Sequence, residues 1–462
     1  MQTLTLFAMS RTALPFLAFA FFVACDDSPR PPPPTPTAPT LPVDAGGTAT
    51  TTCPIPTGVG TPHQGFLEAS ETWTAAASPH HITAAFSVRA AATLTIEKCA
   101  VVTIDPDTTF SVEGKLVAED ALFKAAQEGT AWGKLEIAAT GNADLSGVTL
   151  SDGGSAGDGT IFARGLAGGT NSGEPTKNLK VAKVTIQKSR SYGVNLDGWA
   201  AFADGSGGLT IVDGGSDAAP SAIRIEAGIA ATLPSPLEAT GNKKNDILVK
   251  SSKTFMRNDT FVARGIPYRA LGPIYVSPAA DGAPVTLTIE RGVTIGFEDA
   301  AGSGMRVGSS EARQGILVAA GTESAPIVFT SAKEAPQKGD WTNIEFHATP
   351  ISGNTISFAK VEYAGAESGT KGFGCGPAEN NAAIVVMGLG GEQKGPAASF
   401  IAHTNFDHIA GTTVIVSGWV SDFGPSLLDT NTFGADVPAC HVSNPRRTGA
   451  GDVCDGGRTT CL

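Results

Sequence analysis

Two pairs of carboxylates are the residues best placed to do chemistry. Asp105 and Asp107 follow one copy of the pentapeptide TLTIE, and Glu298 and Asp299 follow a second copy at equivalent positions. Carboxylate oxygens are the ligands that calcium prefers in proteins. Both pairs are therefore candidate calcium sites, although two acidic residues in a turn are more often a solvated corner. No other metal site and no other cofactor are expected.

Sequences that resemble catalytic motifs occur out of context. The stretch GGSAG at 153–157 matches the nucleophile elbow, which needs a helix after the serine. The residues that follow it have a strand pattern, so we predict a glycine-rich corner. His80 and His81 are adjacent and face opposite ways in a strand, and His403 and His408 likewise do not share a face. We therefore predict no catalytic residue, and we favour a non-enzymatic protein over an enzyme.

The first residues have the features of an export signal. Arg11 precedes the apolar run TALPFLAFAFFVA at 12–24, which is shorter than a membrane span. The run ends in FVAC, which resembles a bacterial lipobox with Cys25 as the lipidated residue, except that Phe22 stands where leucine is usual. The alternative is ordinary secretory cleavage with Cys25 incidental. Residues 29–42 hold eight of the 30 prolines and favour an extended tether.

This segment predicts an exported, membrane-anchored lipoprotein at the outer membrane or cell surface of a Gram-negative bacterium. Its partner would be the membrane, through the lipid, and beyond that a glycan or another cell-surface protein. Asp26 resembles an inner-membrane retention signal, so the choice of membrane stays open. The formal net charge of −12 makes a nucleic-acid partner unexpected.

Six further cysteines would remain once Cys25 is acylated. An even number in an exported chain indicates disulfides, and six cysteines allow 15 pairings. Proximity in the sequence favours pairing each cysteine with the next along the chain. The predicted disulfides are Cys53–Cys99, Cys375–Cys440 and Cys454–Cys461.

The elements that would position these residues are short strands. From about residue 75 to 435, runs of five to seven residues alternate apolar and polar side chains, with Gly, Asn, Asp and Ser between them. Period-two alternation indicates half-buried strands. A sandwich or propeller and a solenoid both have many short strands.

Internal repeats favour the solenoid. TLTIE occurs at 93–97 and at 286–290, and each copy is followed by an opening strand, a loop with a tryptophan, and a strand that runs into a glycine-rich corner. The two tryptophans are Trp132 and Trp341. In TLTIE, Leu and Ile fall on one face, and like strands stack on one another in a solenoid. A third, weaker copy of this pattern lies at 211–230.

These segments resemble right-handed parallel β-helix repeat proteins of pectate-lyase-like architecture, in particular their exported bacterial lipoprotein branch. The resemblance rests on TLTIERGVTI (286–295), GILVAAGTESAPIVFTS (315–331), GDWTNIEF (339–346), TGNKKNDILV (240–249) and GIPY (265–268). It implies an all-β, single-stranded right-handed parallel β-helix. In this family the enzymes act mainly on acidic polysaccharides, and the lyases use calcium.

The chain accordingly divides into five predicted segments. They are a lipoprotein signal peptide (1–24), a lipidated cysteine and disordered proline-rich tether (25–51), an N-terminal cap (52–74), a parallel β-helix (75–435) and a cysteine-rich C-terminal cap (436–462). The stretch at 369–381, which interrupts the strand pattern and contains Cys375, is the expected functional loop.

Three functions remain open. The first is a non-enzymatic surface scaffold with an adhesion or binding role. The second is a calcium-assisted polysaccharide lyase or glycoside hydrolase acting on acidic glycans, which would need acidic residues of neighbouring coils to converge. The third is a passive stalk without a specific ligand.

Overall fold

Cys53–Leu462 forms one compact unit. The computed structural model describes residues 53–58, 60–166, 174–250, 257–298, 302–347, 351–369, 381–387, 399–418, 426–444 and 460–461. Cys25, the predicted signal peptide and the predicted tether lie outside the described residues. So do Asp299, Cys375 and Cys454, and most of the loop predicted at 369–381.

The described residues form short strands and two single-turn 3₁₀ helices, Ala75–Ala77 and Ala230–Thr232. The first half of the solenoid contains β1 (Thr61–Leu67), β2 (Glu71–Trp73), β3 (His80–Val88), β4 (Thr93–Ile96), β5 (Val101–Ile104), β6 (Thr109–Val112), β7 (Lys115–Glu119), β8 (Leu122–Ala125), β9 (Lys134–Ile137), β10 (Asn142–Ser146), β11 (Thr149–Ser151), β12 (Ile161–Arg164), β13 (Thr176–Gln187), β14 (Val194–Asp197), β15 (Ala200–Phe202), β16 (Gly207–Val212), β17 (Ser221–Glu226), β18 (Leu237–Thr240) and β19 (Lys244–Lys250).

The second half contains β20 (Asp259–Phe261), β21 (Tyr268–Ala270), β22 (Ile274–Val276), β23 (Val285–Ile289), β24 (Thr294–Phe297), β25 (Met305–Val307), β26 (Gly315–Ala320), β27 (Ile327–Ser331), β28 (Ile344–Phe346), β29 (Thr355–Ser357), β30 (Ala359–Glu362), β31 (Ile384–Val386), β32 (Ile401–Ala402), β33 (Asn405–Asp407), β34 (Thr413–Ser417), β35 (Thr432–Phe433), β36 (Cys440–Asn444) and β37 (Thr460–Cys461).

The predicted parallel β-helix is confirmed. The strands pair in parallel from coil to coil, with one antiparallel pair, β36 with β37, among the described strands. Alternate residues of each strand point into a shared interior. In TLTIE the inward residues are Leu94 and Ile96 in the first copy and Leu287 and Ile289 in the second, all buried. Stacking of like on like therefore accounts for the repeat.

One ladder of strands runs the length of the solenoid. Its inward residues are Phe86, Phe110, Leu135, Ile161, Val194, Ile223, Ile247, Tyr268, Ile295, Phe329, Val361, Phe406 and Phe433. The step between neighbours ranges from 21 residues (247 to 268) to 45 residues (361 to 406). The coils carry loops of very different length around a constant interior.

The two halves meet at a break in the other ladders. Strand β21 continues the long ladder by pairing with β19. The ladders that contain β15 and β18 stop there, and two new sheets begin at β20 and β22. We call the region between β17 and β24 the junction. One ladder of strands thus continues through the junction, whereas the other ladders end there and new sheets begin.

Each end of the solenoid carries a disulfide, and the predicted caps stay a prediction. Parallel pairing already begins at β1 with β3, inside the segment predicted as the N-terminal cap. The predicted disulfide Cys53–Cys99 is confirmed. The predicted partners of the C-terminal cysteines are wrong: Cys440 pairs with Cys461, with the Cα atoms 5.4 Å apart. The antiparallel pair of β36 and β37 brings these two cysteines together, so distance along the chain was a poor guide.

Candidate functional site at the junction of the two halves

A buried arginine links the halves. Arg269, on β21, is only 4% exposed although it points away from the interior. Its Nε donates to Asp246 Oδ2 at 2.6 Å, one terminal nitrogen donates to Glu298, and the other donates to Ser221 Oγ. Asp246 and Ser221 belong to the first half, and Glu298 to the second. The guanidinium therefore bridges β17, β19 and the residue that follows β24.

The strand register explains this convergence. Leu248 pairs with Arg269, which pairs with Gly296. Asp246 lies two residues before Leu248, on the same face. Because Gly296 has no side chain, the guanidinium meets Glu298, two residues further along, without an intervening group. Ion pairs are thus built between coils, from residues that are distant in the sequence.

A second cation lies beside the junction. Lys250 Nζ is 3.0 Å from Asp197 Oδ1 and 2.8 Å from Glu226 Oε1. Burial lowers the pKa of Lys250, but the hydrogen bonds to Glu226 and Asp197 outweigh it and raise the pKa above its usual value. Acidic side chains of neighbouring coils therefore converge at two places, each around a cation.

Buried polar contacts also join the backbones of the halves. The carboxylate of Asp259 accepts hydrogen bonds from Ala230 N and Ala231 N, both at 3.0 Å, at the start of a 3₁₀ helix of the first half. Burial raises the pKa of Asp259, against the effect of these hydrogen bonds. Arg264 donates to Leu233 O at 2.9 Å. At the junction, side chains thus provide hydrogen-bond partners for backbone N–H and C=O groups that lie outside the strands.

A cation–aromatic cluster lies on the same outer face, in the first half. Lys134 and Arg164 each stand 4.6 Å from the ring centroid of Phe162, which is buried although it points outward. Lys134 contacts Asp158 at 2.6 Å, and Arg164 contacts Glu136 at 2.7 Å. This outer face therefore carries fixed charges of both signs around an aromatic ring.

The predicted calcium residues that the structure describes do not converge on one another. Asp105 Oδ1 lies 2.8 Å from His81 Nε2, Asp107 is exposed at a corner, and Glu298 contacts Arg269. Within the described part of the chain, no group of three or more His, Cys, Asp or Glu side chains is arranged to hold a metal. Calcium binding stays a prediction.

The glycine-rich corner at 153–157 is a packing feature. A strand, β12, follows it, as predicted. A Cβ on Gly153 would lie 2.9 Å from ring atoms of Trp132, so the tryptophan occupies the space of a side chain. Trp132 and Trp341 are both fully buried, and each donates its indole N–H to a backbone carbonyl, of Ser151 and Glu362 respectively. These tryptophans are core residues and present no stacking surface.

The histidines contribute to packing at both ends. His80 and His81 face opposite ways, as predicted, with His80 buried and His81 paired outside. His403 and His408 occupy corners with positive φ and stack on Phe358 and on a tyrosine of the preceding coil. Motif spacing could not have found the partners of Arg269 or of His80, because those partners belong to other coils.

Comparison with protein-family models, with curated proteins and with solved structures found no match. Among the described residues, none of the helices has the length and apolar character to cross a membrane. The geometry of the site therefore carries the functional argument by itself.

Proposed function

We propose that the chain is a bacterial cell-envelope lipoprotein whose rigid parallel β-helix serves as a non-enzymatic scaffold for binding or adhesion. The observation that carries this proposal is the long ladder from Phe86 to Phe433, which crosses the junction without a break. The ion pairs of Arg269 hold the halves together at that point. Stacked coils with a continuous interior present an extended surface to a partner.

The proposed anchor is a lipid on Cys25, followed by the proline-rich tether. We expect the exported protein to incorporate an alkyne-tagged palmitate and to partition with membranes. Cys25→Ser should lose both properties, whereas Cys53→Ser, which removes a disulfide cysteine, should retain the label. Labelling of the Cys25→Ser protein, or its retention in membranes, would contradict the anchor.

The proposed partner is a glycan or another cell-surface protein that contacts the outer face. The exported, oxidised protein should bind members of a panel of acidic and neutral polysaccharides, or purified envelope proteins, and release no products from the polysaccharides. Binding should weaken in Arg164→Gln, which alters the cation–aromatic cluster but spares the interior. A protein that binds nothing in either panel would be a passive stalk.

One observation favours a second function, a calcium-assisted polysaccharide lyase or hydrolase. Asp246 and Glu298 converge with Arg269, and these residue types can bind a cation and move a proton. The same panel, with and without calcium, separates the two functions. Calcium-dependent release of unsaturated or reducing ends that is lost in Glu298→Gln but retained in Asp197→Asn would establish the enzyme and overturn the scaffold.

A further inference from the structure

The interior of the first coil ends in two histidines. His63 is on the edge strand β1, and His80 is on β3, which pairs with it. His63 Nε2 lies 3.1 Å from His80 Nδ1. Both rings pack on Trp73, with centroid distances of 4.0 Å for His63 and 4.9 Å for His80. The pair therefore connects β1 to the end of the aromatic core.

The hydrogen bonds determine where the protons are. His80 Nε2 lies 2.9 Å from the carbonyl oxygen of Thr74, which can only accept. Nε2 of His80 must therefore carry a proton, and in the neutral ring Nδ1 is then an acceptor. With His80 neutral, His63 Nε2 donates to it; with His80 protonated, Nδ1 of His80 can instead donate to Nε2 of a neutral His63. The contact at 3.1 Å thus requires that at least one of the two rings is neutral.

We propose that the His63–His80 pair is a pH-sensitive lock, which holds the edge strand β1 on the solenoid at neutral pH and releases it on acidification. Once both rings are protonated, the N–H groups of His63 Nε2 and His80 Nδ1 face each other across 3.1 Å and the two like charges repel. The edge strand then loses its hydrogen bond to His80 and keeps Leu67 on the core and Phe66 against Arg89 as side-chain contacts.

The surrounding charges do not cancel this effect. The charge of Glu71, which accepts from Trp73 Nε1 at 2.9 Å, acts on both histidines and favours their protonation. Burial has the larger effect and lowers the pKa of both His63 and His80. The remaining charges on the paired strands lie elsewhere: His81 faces outward to Asp105, and the ion pair of Arg89 with Glu113 lies beyond the other end of β3.

The sign of the pH effect follows from linkage. A histidine whose pKa is lowered on folding binds fewer protons in the folded state. The stability of the contact is complete above the ordinary histidine pKa of about 6.5 and is lost as the pH falls from there toward the lowered pKa. Acidification to about pH 5 should therefore loosen β1.

Release would be local. Among the described strands β1 pairs with β3 alone, so no second neighbour holds it. The disulfide Cys53–Cys99 keeps the residues before β1 attached to the coil at Cys99. Loss of β1 would uncover Trp73 and Phe86, at the end of the aromatic stack. Acid would thus expose an apolar surface and a free strand edge at one end of the solenoid.

Amide hydrogen exchange of the full exported protein tests the lock. After correction for intrinsic rates, protection of the β1 amides should fall by about tenfold or more between pH 7.5 and pH 5, while β8 and β9 keep theirs. Acrylamide quenching of Trp73, isolated by subtraction of a Trp73→Phe spectrum, should rise over the same interval. Unchanged protection of β1 at pH 5 would overturn the proposal.

Two variants separate the lock from general acid instability. In His80→Gln the carboxamide can accept from His63 and donate to Thr74 without titrating, so the pH step should disappear. His81→Gln changes the neighbouring residue on the opposite face and should keep the step. If His80→Gln itself reduces the protection of β8 at pH 7.5, His63→Gln is used in its place and should show a smaller pH step than the unmodified protein. A full pH step in His80→Gln and in His63→Gln would assign the pH effect to other groups.

Discussion

The two halves of the solenoid agree in their interior and differ on their outer face. In the first, Ser155 N donates to Trp132 O at 3.1 Å. In the second, Ala366 N donates to Trp341 O at 3.0 Å. The preceding residues match as well, since Gly154 and Gly365 have φ values of 87° and 93°. The repeated sequence therefore specifies the same packing arrangement in both halves.

The outer residues that follow the two TLTIE copies lie on different ladders: Asp105 follows β5, which pairs with β3 and β8, whereas Glu298 follows β24 of the long ladder. Asp105, after the first TLTIE, pairs with His81, and both side chains are about a third exposed, at 31% and 29%. Glu298, after the second, contacts Arg269, whose side chain is 5% exposed. The difference shows that interior positions are constrained by stacking, while outer positions serve local needs. The buried arginine is at the junction, where broken ladders need connections.

Tryptophan truncation should have the largest effect and should be equal in the two halves. Trp132→Ala and Trp341→Ala each remove a fully buried ring and its hydrogen bond, at an expected cost of about 3–5 kcal/mol in unfolding free energy. Urea unfolding followed by far-UV circular dichroism measures both. Costs that differ by more than about 2 kcal/mol would show that the two sites are not equivalent, beyond the usual spread of such substitutions.

The sequence could predict what depends on local pattern. The alternation of apolar and polar residues predicted the strands. The TLTIE repeat predicted that the strands stack, because the inward residues of a coil must match those of the nearest coils. The junction could not be predicted, since β19 and β21 have ordinary strand patterns and their pairing depends on which ladders stop. Arg269 was missed for the same reason. The Cys440–Cys461 pair was missed because a hairpin, rather than chain proximity, brings the two residues together.

Loss of Arg269 should be the next largest effect, without a counterpart in the first half. Arg269→Met leaves Asp246 buried without its cation, and breaking such a pair costs about 3 kcal/mol or more. Lys177→Met is the control: Lys177 is 40% exposed and its partner Asp204 is 88% exposed, so removal of this ion pair should cost about 1 kcal/mol or less. Thermal unfolding compares them. Equal costs would mean that Arg269 does not hold the junction.

Corner substitutions should show a moderate asymmetry. Gly153 and Ala364 are equivalent, because each precedes the glycine that bonds to the tryptophan loop. Gly153→Ala should cost about 1–3 kcal/mol, since its Cβ would lie 2.9 Å from the ring of Trp132. Ala364→Gly should cost about 1 kcal/mol, through a lost methyl group and added chain entropy. A neutral Gly153→Ala would show that Trp132 can move within its pocket.

The smallest effect is expected at the ion pair that follows the first TLTIE copy. Asp105→Asn removes the charge opposite His81, and exposed pairs contribute about 1 kcal/mol or less. The change should be measurable at low salt and should vanish near about 1 M salt, where the screening length is about 3 Å. Urea midpoints of Asp105→Asn and the unmodified protein at both salt concentrations give the comparison.

The same salt series applied to Glu298→Gln completes the test. Glu298 is 34% exposed, but its partner Arg269 has a side chain that is only 5% exposed, so salt should change the cost of this substitution less than at Asp105. A weaker salt dependence of the loss at Glu298 than at Asp105 would show that the two ion pairs serve different physical roles. Parallel salt dependence would instead mean that the junction is open to ions, and that Arg269 is less well enclosed than its contacts indicate.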